Sequence, residues 1–298
     1  MYFISFECNN RKQGGILLPD GTHVISLSDA GKLSGQDLPE TLPAFINTAD
    51  DAVIDRLRSA LKTGTPECAL PVSDLKILAP IPEPGRNIIC VGKNYADHVG
   101  EIKSAGGSGT VPEKPIYFSK LTTCVVGPDA PVQSHRGITA EADYEAELAV
   151  IIGKGGSNIP VDEAEQHIFG YTCANDVTAR DIQRERGQWF AGKSLDTFCP
   201  LGPAILHRSS LPFPPELDIR MELNGKEMQH SNTGNLIHSI AELIADFSAG
   251  RTLLPGDIIL TGTPSGVGLG RNPKVVLNPG DEMAVTIEHL GTLKNPVV

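Results

Sequence analysis

The chain has too little positive charge, too few long apolar runs and too few clustered cysteines for several large classes of protein. Lys plus Arg number 25 against 36 Asp plus Glu, a formal charge of −11. Phosphate backbones are gripped by clustered Lys and Arg, and no such cluster is present, so a nucleic-acid partner is not expected. Apolar stretches such as Leu148 to Ile152 fall far short of the roughly 18 residues that suggest a membrane span. The start, Met1-Tyr2-Phe3-Ile4-Ser5-Phe6-Glu7, has neither a basic leader nor a long apolar core, so it does not read as a signal peptide. Cys8, Cys68, Cys90, Cys124, Cys173 and Cys199 are scattered, with no CxxC. That argues against thiolate zinc and fits reduced thiols in a cytoplasmic protein. No glycine-rich fingerprint opens a helix, and no G-x-S-x-G elbow occurs, so neither a nucleotide fold nor a serine hydrolase is supported.

What the chain does have is turns. Gly (31) and Pro (23) make up roughly 18% of it, against about 12% in an average protein. A length of 298 residues suggests about two domains. Residues 1–76 read as a small N-terminal α/β unit, with strand-like runs at Tyr2 to Phe6, Gly15 to Leu18 and His23 to Leu27 and a helix near Asp50 to Leu61. Ala79-Pro80-Ile81-Pro82-Glu83-Pro84-Gly85 reads as a stiff extended linker, and residues 77–298 as the main domain. Strands are expected at Asn87 to Val91, Pro115 to Ser119, Asp143 to Ile152, Gly170 to Val177, Leu217 to Leu223, Asp257 to Thr261 and Glu282 to Ile287. Helices are expected at Val161 to Ile168, Ala179 to Glu185 and Ile237 to Phe247. Many strands and few helices predict a β-rich α+β architecture.

The chemistry collects in a few short segments. In Asp143-Tyr144-Glu145-Ala146-Glu147-Leu148, strand alternation places Glu145 and Glu147 on one face. Two such carboxylates suit either a solvated face or a shared cation. Asp176 ends the apolar run Tyr171 to Val177, where it serves equally as a helix cap or as a third oxygen ligand for Mg²⁺ or Mn²⁺. Arg180 and Gln183 share a helix face, either as solvated residues or as a grip on a carboxylate. Lys193, in Gly192-Lys193-Ser194-Leu195-Asp196-Thr197, is either a surface lysine or a donor to a developing oxyanion. His98 and Glu101 are one helical turn apart, so the carboxylate can orient the imidazole as a general acid or base. The loop Gly106-Gly107-Ser108-Gly109 that follows would act as a lid. In Thr261-Gly262-Thr263-Pro264-Ser265-Gly266-Val267-Gly268, small residues allow backbone N–H groups to approach a carboxylate.

In this order, and together with Gly92-Lys93-Asn94-Tyr95-Ala96-Asp97-His98, the segments resemble the fumarylacetoacetate hydrolase superfamily from about residue 75 to the end, in the form of its smaller bacterial members. The resemblance implies a mixed β-sandwich roll in a homodimer, with Mg²⁺ or Mn²⁺ held by Glu145, Glu147 and Asp176. It implies catalytic roles for His98, Glu101 and Lys193, and substrate contacts from Arg180, Gln183, Thr197 and Thr263. The substrate it implies is a small 2-oxo or 2,4-dioxo acid. The leading expectation is metal-dependent hydrolysis of a C–C bond in an acylpyruvate- or fumarylpyruvate-type acid through an enolate. The alternatives are oxaloacetate decarboxylation or tautomerisation, isomerisation or decarboxylation of a hydroxy-diene-dioate, and a non-catalytic binding or scaffold member.

Overall fold

The first strand, Tyr2–Cys8, decides how the two parts of the chain are joined. The computed structural model describes residues 1–62, 66–104 and 110–298. Tyr2–Cys8 folds back on Arg11–Leu17 in register from Tyr2↔Leu17 to Cys8↔Arg11. Asn9 and Asn10 turn the chain at φ 51° and 60°, the left-handed pair a tight hairpin requires. On its other edge the strand meets Lys76–Leu78 and, at Tyr2↔Leu206 and Phe3↔Ile205, the strand Cys199–His207. The N-terminal unit therefore shares a sheet with the rest of the chain. Phe3 cements the seam, with its ring 5.4 Å from Phe45 and 5.2 Å from Phe169. The proline-rich segment, read from the sequence as a stiff extended linker, is packed against the core. Ala79 and Ile81 are buried in the main core, and Ser5 Oγ donates to Pro80 O at 2.7 Å.

Among the described residues the large sheet has twelve strands. Past Cys199–His207 it continues through Ile168–Asn175, Ala146–Ile152, Ile258–Leu260 and Ile88–Gly92 to Ile116–Lys120. Ala146–Ile152 lies in the middle, and every one of its residues is buried. A four-stranded antiparallel sheet, in the order Lys226–Asn232, Asp218–Leu223, Glu282–Ile287, Gly291–Pro296, packs against it. Helices are short, and among the described residues after residue 76 the longest are Ala96–Ser104 and Ile240–Ser248. The latter is fixed by a capping box between Ser239 and Glu242. The architecture is the expected β-rich α+β.

Several elements differ from the sequence reading. Val161–His167 is a 3₁₀ helix. Asp143 and Glu147 lie in separate strands, since Ala142–Asp143 pairs with Thr178–Ala179 and Glu145 falls in the break before Ala146. Cys199–His207 went unread because it contains Pro200 and Pro203, and proline argues against a central strand. The register slips between Tyr171↔Leu206 and Cys173↔Gly202, so Pro203 falls where no ladder bond is required. The lid expected at residues 106–109 lies outside the described residues.

Candidate functional site

The ends of the central strands converge on a cluster of buried carboxylates. Glu145, Glu147 and Asp176 each offer an oxygen, with all three oxygens within 4.8 Å of one another. Glu145 is 5% exposed, Glu147 1% and Asp176 0%, which removes the solvated-face reading of the Glu-x-Glu pair. Asp176 does not cap the helix Arg180–Glu185, whose N-cap is Ala179 with no side-chain bond.

Three buried cations hold this cluster together. Lys193, at the end of the short helix Phe190–Lys193, donates from Nζ to Glu145 Oε2 and Asp176 Oδ2, both at 2.7 Å. Its Nζ also lies 5.1 Å from the centre of the Phe118 ring. Arg180 pairs through Nη1 with Glu145 Oε1 at 2.6 Å and through Nε with Asp143 Oδ2 at 2.8 Å. Lys120 donates to Asp176 Oδ1 at 2.6 Å and to Val177 O at 3.0 Å. Burial alone would raise the Glu145 carboxyl, but the Lys193 ammonium and the Arg180 guanidinium outweigh it and lower it to about 2. Glu147 goes the other way: burial, then the neighbouring Asp176 and Glu145 carboxylates, push it well up. One cluster thus holds a firmly ionised acid beside one that resists ionisation.

His98, Glu145, Glu147, Arg180, Gln183, Lys193 and Thr263 all line a single cavity of about 560 Å³. His98 and Glu101 sit on the helix Ala96–Ser104 with Nδ1 and Oε2 3.2 Å apart, as their spacing predicts. Gln183 accepts from Arg180 Nη1 at 3.3 Å. Thr263 Oγ1 accepts from Gln229 Nε2 at 2.8 Å. Thr197 is not brought into the cavity: its hydroxyl accepts from Gln133 N at 2.9 Å, and it is absent from the lining. The glycine-rich loop does bind carboxylates through its backbone, but they are the protein's own. Gly262 N donates to Glu147 at 2.7 Å, Gly266 N to Glu101 at 3.0 Å, and Gly268 N to Asp143 at 2.8 Å.

Sequence reasoning missed Asp143, Lys120 and Trp189. Asp143 stood in the quoted motif without a role, yet it anchors Arg180. Lys120 follows an expected strand by one residue. Trp189, the single tryptophan of the chain, forms a cavity wall with Phe118, their rings 5.3 Å apart and edge to face.

The fold and site together are those of a β-rich α+β domain whose strand ends gather a buried carboxylate triad beside a His–Glu pair. Residues 87–298 match the family model described as fumarylacetoacetate (FAA) hydrolase C-terminal. The chain belongs to the fumarylacetoacetate hydrolase family. It is 41% identical to oxaloacetate tautomerase YisK of Bacillus subtilis over 304 residues, covering all of both chains. Among solved structures it is similar to a fumarylacetoacetate hydrolase from Exiguobacterium antarcticum, at 35% identity and a TM-score of 0.83, covering 100% of this chain and 99% of that one. It also resembles a 5-carboxymethyl-2-hydroxymuconate delta-isomerase from Mycobacterium smegmatis, at 34% identity and a TM-score of 0.75, with the same coverage.

Proposed function

We propose that this protein is a divalent-metal-dependent tautomerase of a 2-oxo acid, with oxaloacetate the first substrate to test. The observation that carries the reading is that Glu145, Glu147, Lys193 and His98 line one cavity, with Asp176 completing the carboxylate triad behind them and Glu101 bonded to His98. The names of the relatives weigh in the same direction, towards the tautomerisation that the sequence alone placed second to hydrolysis. Three buried carboxylates are a hard oxygen donor set, which suits Mg²⁺ or Mn²⁺. Glu145, Glu147 and Asp176 would hold the cation, which when bound would supply positive charge to the 2-oxo oxygen.

The chain's own groups do the remaining work. Tautomerisation moves one proton between carbon and oxygen and breaks no C–C bond. His98 has Nδ1 engaged by Glu101, so Nε2 is the nitrogen that exchanges a proton with the substrate. Lys193 places an ammonium where negative charge builds on the substrate oxygen. Arg180 has an Nη2 that is buried and unpartnered among the described residues. A buried donor without an acceptor is costly, and a substrate carboxylate would satisfy it. Gln183 and Thr263 flank that carboxylate.

The test follows the decay of oxaloacetate enol in ultraviolet absorbance with Mg²⁺ or Mn²⁺, next to acetylpyruvate cleavage. Metal-dependent acceleration of enol decay, lost in His98→Gln, is the expected result. Cleavage of acetylpyruvate without enol turnover would restore the hydrolase reading and end this one.

A further inference from the structure

Two cationic residues that line the cavity, Arg184 and Lys274, have been given no role so far. Arg184 lies on the helix Arg180–Glu185. Arg180, Gln183 and Arg184 lie three and four residues apart on one face, and all three line the cavity. Arg180 grips Glu145, while Arg184 stands one turn, about 5.4 Å, further along the helix. Lys274, half exposed like Arg184, lines the same cavity.

Arg184 and Lys274 meet over a single carboxylate. Arg184 Nη1 donates to Glu141 Oε2 at 2.7 Å, and Lys274 Nζ lies 3.9 Å from Glu141 Oε1. Two cations share Glu141, and Asp181 is a second carboxylate within electrostatic reach of Arg184, so what this part of the cavity offers a ligand is unused donors on Arg184 rather than surplus charge. Its geometry is fixed from behind. Glu141 O accepts from Arg180 N at 2.8 Å, and Asp181 Oδ2 accepts from Ala140 N at 2.9 Å, strapping the segment before Glu141 to the first turn of the helix. A guanidinium offers five N–H donors in a fork matched to carboxylates, and only Nη1 is used by Glu141.

We infer that Arg184, supported by Lys274, reads a second carboxylate on the substrate and makes the site selective for 2-oxo dicarboxylic acids over their monocarboxylic counterparts. The inference rests on the proposed placement of the 2-oxo acid end at the triad. One helical turn is a span that a short diacid covers, with one end beside Arg180 and the other at Arg184. Glu141 competes with the ligand for Arg184 and therefore sets the strength of the preference.

The test is a binding measurement that needs no turnover. Trp189 lines the cavity and is the only tryptophan, so its fluorescence reports occupancy. The metal-loaded protein is titrated with 2-oxoglutarate and with 2-oxovalerate, which match in chain length and differ by the terminal carboxylate. The wild type is expected to prefer 2-oxoglutarate by about tenfold or more, the scale of a charge-assisted pair. Arg184→Gln should bring the two acids within about threefold without weakening 2-oxovalerate, and Glu141→Gln should widen the preference. Arg184 is half exposed, so its loss leaves the fold intact. Equal affinities in the wild type, or equal weakening of both acids by Arg184→Gln, would overturn the inference. A retained preference in a protein that does not turn over oxaloacetate enol would sink the tautomerase reading and leave this one standing. Metal-dependent binding of neither acid would overturn both.

Discussion

Replacing Lys120 with methionine removes a cation from a place water cannot reach. The side chain is fully buried, and its Nζ is shared between Asp176 Oδ1 and Val177 O. Asp143, Glu145, Glu147 and Asp176 face Arg180, Lys120 and Lys193, four acids against three cations. Glu147 offsets the difference by resisting ionisation. Without Lys120 the imbalance grows by a full charge, Asp176 Oδ1 loses its partner, and Val177 O loses a donor. Breaking a buried ion pair from one side costs about 3–5 kcal/mol, a large share of a total stability of about 5–15 kcal/mol. Urea denaturation of metal-free Lys120→Met should therefore show a loss of about 3–5 kcal/mol, with the transition still cooperative. Mn²⁺ should recover part of it, about 2.7 kcal/mol at a hundred times its Kd. Adding Asp176→Asn should cost less than the sum of the two single changes, because both remove the same pair. A loss below about 1 kcal/mol in Lys120→Met, with additive behaviour in the double variant, would refute the charge balance argued for this cluster.

Glu147 predicts proton release on metal binding. Its folded pKa is raised, so the metal-free protein keeps a proton there at a pH where a free glutamate has lost it, and this group favours the fold more as pH falls towards the ordinary glutamate range. Calorimetry in two buffers of different ionisation enthalpy should show a proton leaving as the cation binds below that raised pKa, with affinity falling as pH drops. His207 acts in the opposite direction. Burial between Phe3 and Phe169 lowers it to about 3, so its stabilising effect is complete above about 6.5 and is lost as pH falls towards 3, at roughly 1.4 kcal/mol per unit. His207→Phe should therefore flatten the acid side of the stability curve measured by denaturant titration. Gly92 has room for hydrogen only, since a Cβ there would lie 2.3 Å from Trp189 Cζ3. Gly92→Ala should displace the indole, shift the emission maximum and weaken ligand binding severalfold while leaving metal affinity within about twofold.

The residues alone leave the three acids of the triad open between solvated, capping and ligating roles. The family resemblance singles them out as a set, and their burial in or beside apolar runs is the kind of conflict that concentrates at functional sites. His98 and Glu101 were legible for a simpler reason, since helical spacing alone brings them together. Lys120 left no such mark. It follows the expected strand Pro115 to Ser119 by one residue, where a lysine ordinarily reaches solvent, and only the return of Asp176 from a distant strand shows otherwise. Thr197 illustrates the converse. It lies four residues from Lys193, but its φ of 69° turns the chain, and its hydroxyl goes to Gln133 N. Sheet continuity across the N-terminal unit was also out of reach, because the joining strand Cys199–His207 carries two prolines, and its pairing with Tyr2 and Phe3 is a contact between residues some 200 positions apart.

The loop that follows Ile258–Leu260 explains why these groups act as a unit. Carboxylates packed this closely repel one another unless each has donors of its own. Within eight residues the backbone supplies them: Gly262 N to the triad through Glu147, Gly266 N to the helix Ala96–Ser104 through Glu101, and Gly268 N with Leu269 N to the partner of Arg180, Asp143. Gln229 locks the arrangement from the opposite side, donating to Thr263 Oγ1 and Pro264 O while its own oxygen accepts from Ala146 N. Gly266 has φ +103°, and a Cβ there would sit 2.0 Å from Met228 O, so no other residue lets the chain pass so close. A shift of this one loop would move the donors to Glu147, to the partner of His98 and to the support of Arg180 together. Their mutual geometry is therefore set by a single stretch of backbone, which is the preorganisation that electrostatic catalysis requires.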